Sequence, residues 1–127
     1  MDWISVFCSF INANQKNEIM YQYKAKIIEV YDGDTITAMV DLGFFHFQQM
    51  KFRLYGINTP EIRGEERAQG MIVRDILRAM ILDKEVTINS YKDKQEKYGR
   101  YLANIVIDGV DVNHWLVTNG HAKEYML

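Results

Sequence analysis

Along this 127-residue chain the spacing of apolar positions changes period several times, and each change marks an element. Trp3, Ile4, Phe7, Cys8 and Ile11 follow the i, i+1, i+4, i+5, i+8 spacing of one helical face, with Val6 and Phe10 widening it. A polar stretch, Asn12 to Asn17, reads as a linker, so an extension over 1–19 precedes a domain over 20–127. From Tyr23 the pattern is strand-like. Tyr23–Val30 is rich in β-branched residues and runs into Tyr31-Asp32-Gly33-Asp34, an Asp-Gly turn signal. Thr35–Leu42 is a second strand; Gly43 and a short aromatic stretch lead to a third, Gln48–Tyr55. Thr59-Pro60 ends this meander, because proline has no donor for a sheet ladder. Over Glu65–Leu82 the period becomes helical. Ala68, Ile72, Ile76, Ala79 and Met80 mark an apolar face, with Met71, Val73 and Leu77 beside it and charged residues elsewhere. Lys84–Tyr91 and Arg100–Ile107 return to strand, and Asp108-Gly109 is a tight turn. A short helix is predicted over Asn113–Asn119, with Asn113 as N-cap, Gly120 as left-handed stop, and Trp115 and Leu116 as anchors. This order, mainly β with α, predicts a small α+β domain: a closed or nearly closed barrel with helices packed on it.

Composition narrows the class. A chain this long, 48% hydrophobic, is one globular domain with a core of its own. The apolar run Trp3–Ile11 is too short to span a membrane, and Asp2 as the only early charge does not suit a secretory signal, so no membrane partner is expected. The single Cys8 excludes a disulfide framework and any CxxC metal site, and fits a reducing, intracellular compartment. Fifteen basic against 17 acidic residues give −2, which argues against a basic coat for nucleic acid but leaves room for a local basic site.

Candidate chemistry lies in three short segments. In Asp32-Gly33-Asp34-Thr35 the glycine permits a tight backbone while two carboxylates converge, as a hard cation requires. Read alone, the segment is simply a turn. Arg53 sits in an apolar strand before Asn58-Thr59-Pro60-Glu61. Alternation puts it on one face with Lys51 and Tyr55, the mark of a solvated strand, and Glu61 would complement the dipole of the helix that follows. Asp93 to Arg100, with Lys97-Tyr98-Gly99-Arg100 at its end, reads alone as a charged hairpin loop. His46, His114 and His121 lack ligand spacing, so zinc is not expected.

Taken together, Asp-Gly-Asp-Thr at 32–35, Arg-Leu-x-x-Ile-x-Thr-Pro-Glu at 53–61 and Lys-Tyr-Gly-Arg at 97–100 resemble the staphylococcal nuclease (thermonuclease-like) family, small phage-encoded members included. The similarity runs from about Tyr23 to Tyr125. It implies an OB-type five-stranded barrel and Ca²⁺-dependent endonuclease cleavage of DNA and RNA phosphodiesters, leaving 3′-phosphorylated ends. It further implies a catalytic set of Arg53, Glu61 and Arg100, with the arginines on the scissile phosphate and Glu61 on the attacking water. Asp34 and the Thr59 carbonyl would bind the metal, Lys97 and Tyr98 the neighbouring phosphate, and Tyr125 would reach the nucleotide.

Two departures qualify this. The family's commonest pattern has aspartate where this chain has Asn58. An amide oxygen still ligates Ca²⁺ with one charge fewer, so affinity should fall, with Asp32 or Glu61 as compensating ligands. The alternatives are a catalytically silent nucleic-acid-binding OB-type module or a protein-interaction domain. Longer members also continue into another helix beyond the position of Leu127. The apolar face of residues 1–19 is expected to replace it or to form a homodimer contact.

Overall fold

A computed structural model of the chain describes residues 20–95 and 99–125; the helix expected over 1–19, and its dimer contact, lie outside them. Strands β1 (Met20–Asp32), β2 (Thr35–Asp41) and β3 (Phe47–Leu54) form an antiparallel meander. A brief β4 (Ile57–Asn58) and a 3₁₀ turn (Gly64–Glu66) lead into helix α1 (Arg67–Ile81). Then come β5 (Glu85–Gln95), β6 (Tyr101–Ile107), β7 (Val110–Asp111), helix α2 (Val112–Thr118) and β8 (Lys123–Glu124). β5 runs antiparallel to β1 and β6 to β5, while β3 pairs parallel with β6 over Phe52↔Tyr101, Arg53↔Leu102 and Leu54↔Ala103. That last pairing closes β1, β2, β3, β5 and β6 into a barrel, the OB-type α+β fold expected.

β1 serves two neighbours because it bends. Met20–Lys26 pair with β5 and Lys24–Asp32 with β2, with register shifts between Ile27 and Glu29 and between Val30 and Asp32. An extra residue at a shift curves the strand and breaks the alternation, so Ala25, Ile27 and Val30 face inward while Ile28 is exposed. Ile27, Ile36, Phe52, Leu54, Ile88 and Ile105 fill the barrel, each burial worth about 1.5–3 kcal/mol. At the far end of β2 the chain turns through Phe44 and Phe45, both with positive φ (56° and 62°), a conformation costing roughly 1–2 kcal/mol per residue.

The helix forms where its period predicts, but it buries a different stripe. Gly70, Val73, Leu77 and Ile81 face the barrel, whereas Ile72 is 52% exposed and Ala68 and Ala79 lie in solvent. The reason is close approach at two glycines. A Cβ on Gly70 would overlap the Glu61 carbonyl and lie 2.8 Å from Pro60 O, and one on Gly33 would stand 2.7 Å from Val73 Cγ1. Both are contacts that hydrophobicity alone does not register. Arg78 fixes the helix on β1 by donating Nε–H and Nη2–H to the Val30 carbonyl at 3.2 and 3.0 Å.

The start of α2 also differs from expectation. Asp111 is the N-cap, accepting the His114 N–H at 3.1 Å. Asn113 is buried instead. It donates to the carbonyls of Tyr55 (2.9 Å) and Ala103 (3.2 Å) and accepts the Ile105 N–H (3.2 Å), tying β6 to the β3–β4 turn. The helix stops as predicted at Gly120 (φ 78°), where Gly120 N–H reaches Val117 O and His121 N–H reaches Leu116 O, a Schellman pair. Leu116 is fully buried and Trp115 packs beside it against the core. Among the described residues no helix is long and apolar enough to cross a membrane.

Candidate active site

The β1–β2 turn, the end of β3, the strand β4 and the start of β6 meet at one rim of the barrel. Their meeting is a matter of register: Thr35 pairs with Arg53 across β2–β3, and Arg53 with Leu102 across β3–β6. The turn is drawn tight because Asp32 Oδ1 accepts the Asp34 N–H at 3.0 Å. It can press against the following loop only because residue 33 is glycine; a Cβ there would lie 2.8 Å from Thr59 Oγ1. Asp34 is thereby carried into the structure. Its Oδ2 accepts the Thr59 N–H at 3.2 Å, its Oδ1 accepts the Thr35 hydroxyl at 3.3 Å, and its own carbonyl accepts the Leu54 N–H at 2.8 Å.

Two guanidiniums are tied to this carboxylate, one directly and one through a hydroxyl. Arg53 is buried, not solvated as strand alternation alone suggests. Its Nη1 donates to Leu54 O (3.2 Å), and its Nη2 lies 3.5 Å from Asn58 Oδ1 and 3.8 Å from Asp34 Oδ2. Its Cζ stands 5.3 Å from the centroid of the Tyr125 ring, in cation–π range. Arg100 donates Nη1–H to Thr35 Oγ1 at 2.7 Å, so that hydroxyl links Arg100 to Asp34. All four groups open onto a cleft of about 1030 Å³ that Asp32, Asn58, Glu61 and Tyr125 also line. Glu61 is held there through its backbone, whose N–H donates to Glu66 Oε2 at 3.0 Å.

Of the residues expected at a site, Asp32, Asp34, Arg53, Asn58, Glu61, Arg100 and Tyr125 thus share one cleft, and Thr59 lies buried behind it. Lys97 and Tyr98 lie outside the described residues. The same cleft has walls that motif reading does not single out: Thr37 and Lys51 on the β2–β3 ribbon, and Arg63, whose Nη2 donates to Tyr31 Oη at 2.9 Å. Only the two-residue step from Glu61 to Arg63 pointed to the last of these.

Two carboxylates are packed together at the turn. Burial pushes the Asp32 carboxyl up from 3.8 to about 7, helped by the hydrogen bond and negative charge of Asp34 and opposed by bonds from the Asp34 backbone and Thr35. A cation between the two aspartates would reverse that penalty. The donors are all oxygens, as hard divalent ions require, and Thr59 Oγ1 is buried without a hydrogen-bond partner beside them. Among the described residues no three His, Cys, Asp or Glu side chains converge, so such an ion would also draw on amide and backbone oxygens.

A family model described as staphylococcal nuclease homologue matches residues 51–127. The chain belongs to this family. A thermonuclease of Staphylococcus hyicus is 29% identical over 101 residues, covering 77% of this chain and 57% of its own length. An uncharacterized protein of Methanocaldococcus jannaschii is 26% identical over 145 residues (94% and 65%), and one of Bacillus anthracis 28% over 102 residues (77% and 45%). The chain therefore spans about half to two thirds of the length of these relatives. The staphylococcal nuclease homologue match includes Arg53, Asn58, Glu61 and Arg100 but begins after Asp32 and Asp34, which only strand pairing brings to the same rim.

Proposed function

We propose that this protein is a Ca²⁺-dependent nuclease that hydrolyses phosphodiester bonds of DNA or RNA. The observation that carries this reading is that Arg53 of β3 lies 3.8 Å from the buried Asp34 while Arg100, just before β6, is linked to the same carboxylate through the Thr35 hydroxyl. As water attacks a phosphodiester in line, charge grows on the equatorial oxygens. Two planar, permanently charged guanidiniums match those oxygens better than flexible ammonium groups. Their backbone and hydroxyl anchors hold them in place beforehand, so little reorganisation is needed as charge develops. Glu61, on the exposed loop across the cleft, orients the water and accepts its proton. Asp34, with Asn58 and the Thr59 carbonyl, would hold the calcium ion, and Asp32 stands next to them as an accessory ligand. When bound, the ion neutralises phosphate charge that would repel the nucleophile. Lys97, Tyr98 and Tyr125 would hold the adjoining nucleotide.

Asn58 supports a second reading, in which the metal site is too weak for catalysis and the barrel only binds nucleic acid. One assay separates the two. Single-stranded DNA is incubated with millimolar Ca²⁺, then with chelator, using wild type, Arg53→Ala and Arg100→Ala. The nuclease reading expects chelator-sensitive cleavage, and kcat lower by about 100-fold or more in each variant. Binding without cleavage in Ca²⁺, Mg²⁺ or Mn²⁺ would establish the silent module instead.

A further inference from the structure

The β2–β3 hairpin ends in an aromatic tip that the fold does not use. Phe44 and Phe45 are 94% and 97% exposed, with Phe47 exposed beside them. They are the two central residues of a turn closed by His46 N–H on Gly43 O at 2.9 Å and braced by Gly43 N–H on Asp41 Oδ1 at 2.8 Å. With φ positive at both, this is a turn that Asn-Gly fills most easily. Two phenylalanines there combine an unfavourable backbone with two rings in water, so folding gives no reason for them.

The ribbon links the tip to the cleft. Residues paired across an antiparallel ladder share a face, and here the pairs are Thr35↔Arg53, Thr37↔Lys51, Met39↔Gln49 and Asp41↔Phe47. One face thus runs from Arg53 through Lys51 and Gln49 to Phe47, a distance of about 20 Å at strand rise. Thr37 and Lys51 still line the cleft. A polymer with one phosphate at Arg53 would meet along this face a cation, an amide and then a cluster of rings. Single-stranded nucleic acid fits that order, since its unpaired bases offer π-faces whatever their identity. The charge balance favours the same occupant, because a chain at −2 has little basic surface and ring stacking needs none. A lipid surface fits poorly: Asp41 pairs with both Lys24 and Phe47, so a carboxylate stands between that lysine and the rings, whereas anionic membranes are held by clusters of basic residues.

We infer that the Phe44–Phe45 tip is a remote stacking subsite for the bases of single-stranded DNA or RNA, several nucleotides from the bond cleaved. The inference rests on the nuclease reading above and extends it. It is tested with the full chain on oligonucleotides of about 2 and about 12 nucleotides. In Phe44→Ala/Phe45→Ala the KM for the longer strand should rise about tenfold while kcat and the KM for the shorter one stay as in wild type. Equal KM values for the longer strand overturn the subsite. Phe44→Asn/Phe45→Gly separates ring from turn: it should melt higher than wild type yet match the alanine variant in KM. A higher melt with wild-type KM overturns the proposal. If wild type cleaves neither strand, the nuclease reading fails by itself, and longer strands carrying 2-aminopurine then decide the subsite. Quenching by wild type that is lost in the alanine variant sustains it; equal quenching overturns it. Sedimentation of wild type, but not the alanine variant, with anionic phospholipid vesicles, together with unchanged KM, would assign the tip to a membrane and overturn it.

Discussion

Asn58 carries its amide oxygen 3.5 Å from Arg53 Nη2, within the group of oxygens proposed to hold calcium. Asn58→Asp adds a negative charge that both the guanidinium and a cation would favour. The Ca²⁺ concentration giving half-maximal cleavage should therefore fall, as measured by titrating rate against metal. An unchanged midpoint would put residue 58 outside the metal's ligands. Gly70 shows the opposite kind of constraint. Alanine favours a helix interior by about 1 kcal/mol over glycine, yet a Cβ here would overlap the Glu61 carbonyl. The contact is with backbone, which has no rotamer to yield. Gly70→Ala should lower both the melting temperature and, by moving the Glu61 loop, kcat. A higher melting temperature would show that propensity outweighs the overlap.

The helix α1 separates period from orientation at the scale of an element. Spacing shows that residues 65–82 make an amphipathic helix, but several adjoining apolar stripes could face the barrel. The choice falls on Gly70, Val73, Leu77 and Ile81 because glycines 70 and 33 remove the side chains that would hold helix, turn and loop apart. Leu77→Ala should accordingly cost about 2–5 kcal/mol in denaturant unfolding. Ile72→Ala, on the stripe that hydropathy favours, should stay within about 0.5 kcal/mol. Equal losses would restore the stripe read from spacing. The short helix α2 makes a related point. Asparagine is a good N-cap anywhere, and Asn113 fits that rule locally. It is used instead to satisfy three backbone groups on β6 and the β3–β4 turn, a demand set by strands distant in sequence.

At the scale of the whole molecule the charge balance limits how nucleic acid would be held by the proposed nuclease. Removing Asp2, Lys16 and Glu18 with segment 1–19 leaves 14 basic against 15 acidic residues for the barrel. On the nuclease reading affinity would come from a few cations, Arg53 and Arg100 with Lys97 as the resemblance implies, and from the proposed metal. Two or three phosphate contacts predict a slope of roughly −1.4 to −2.1 for log K against log salt on single strands at fixed Ca²⁺. A slope steeper than about −4 would reveal a distributed basic surface. Strand and helix periods, the Asp-Gly turn, the Gly120 stop and the three polar motifs are local, since each depends on residues within a turn or two of one another. They were enough for an α+β barrel and for the residues proposed at the site. What they could not supply is proximity. That Arg53 is buried against Asp34, that Arg100 reaches Thr35, and that Arg63 and Lys51 join the cleft follow from β-bulges, from β2–β3 register and from the parallel β3–β6 pairing. By itself the sequence determined which long elements form and which groups can do chemistry. Tertiary structure alone decided which faces are buried and which charges meet, because both depend on backbone approach between segments tens of residues apart.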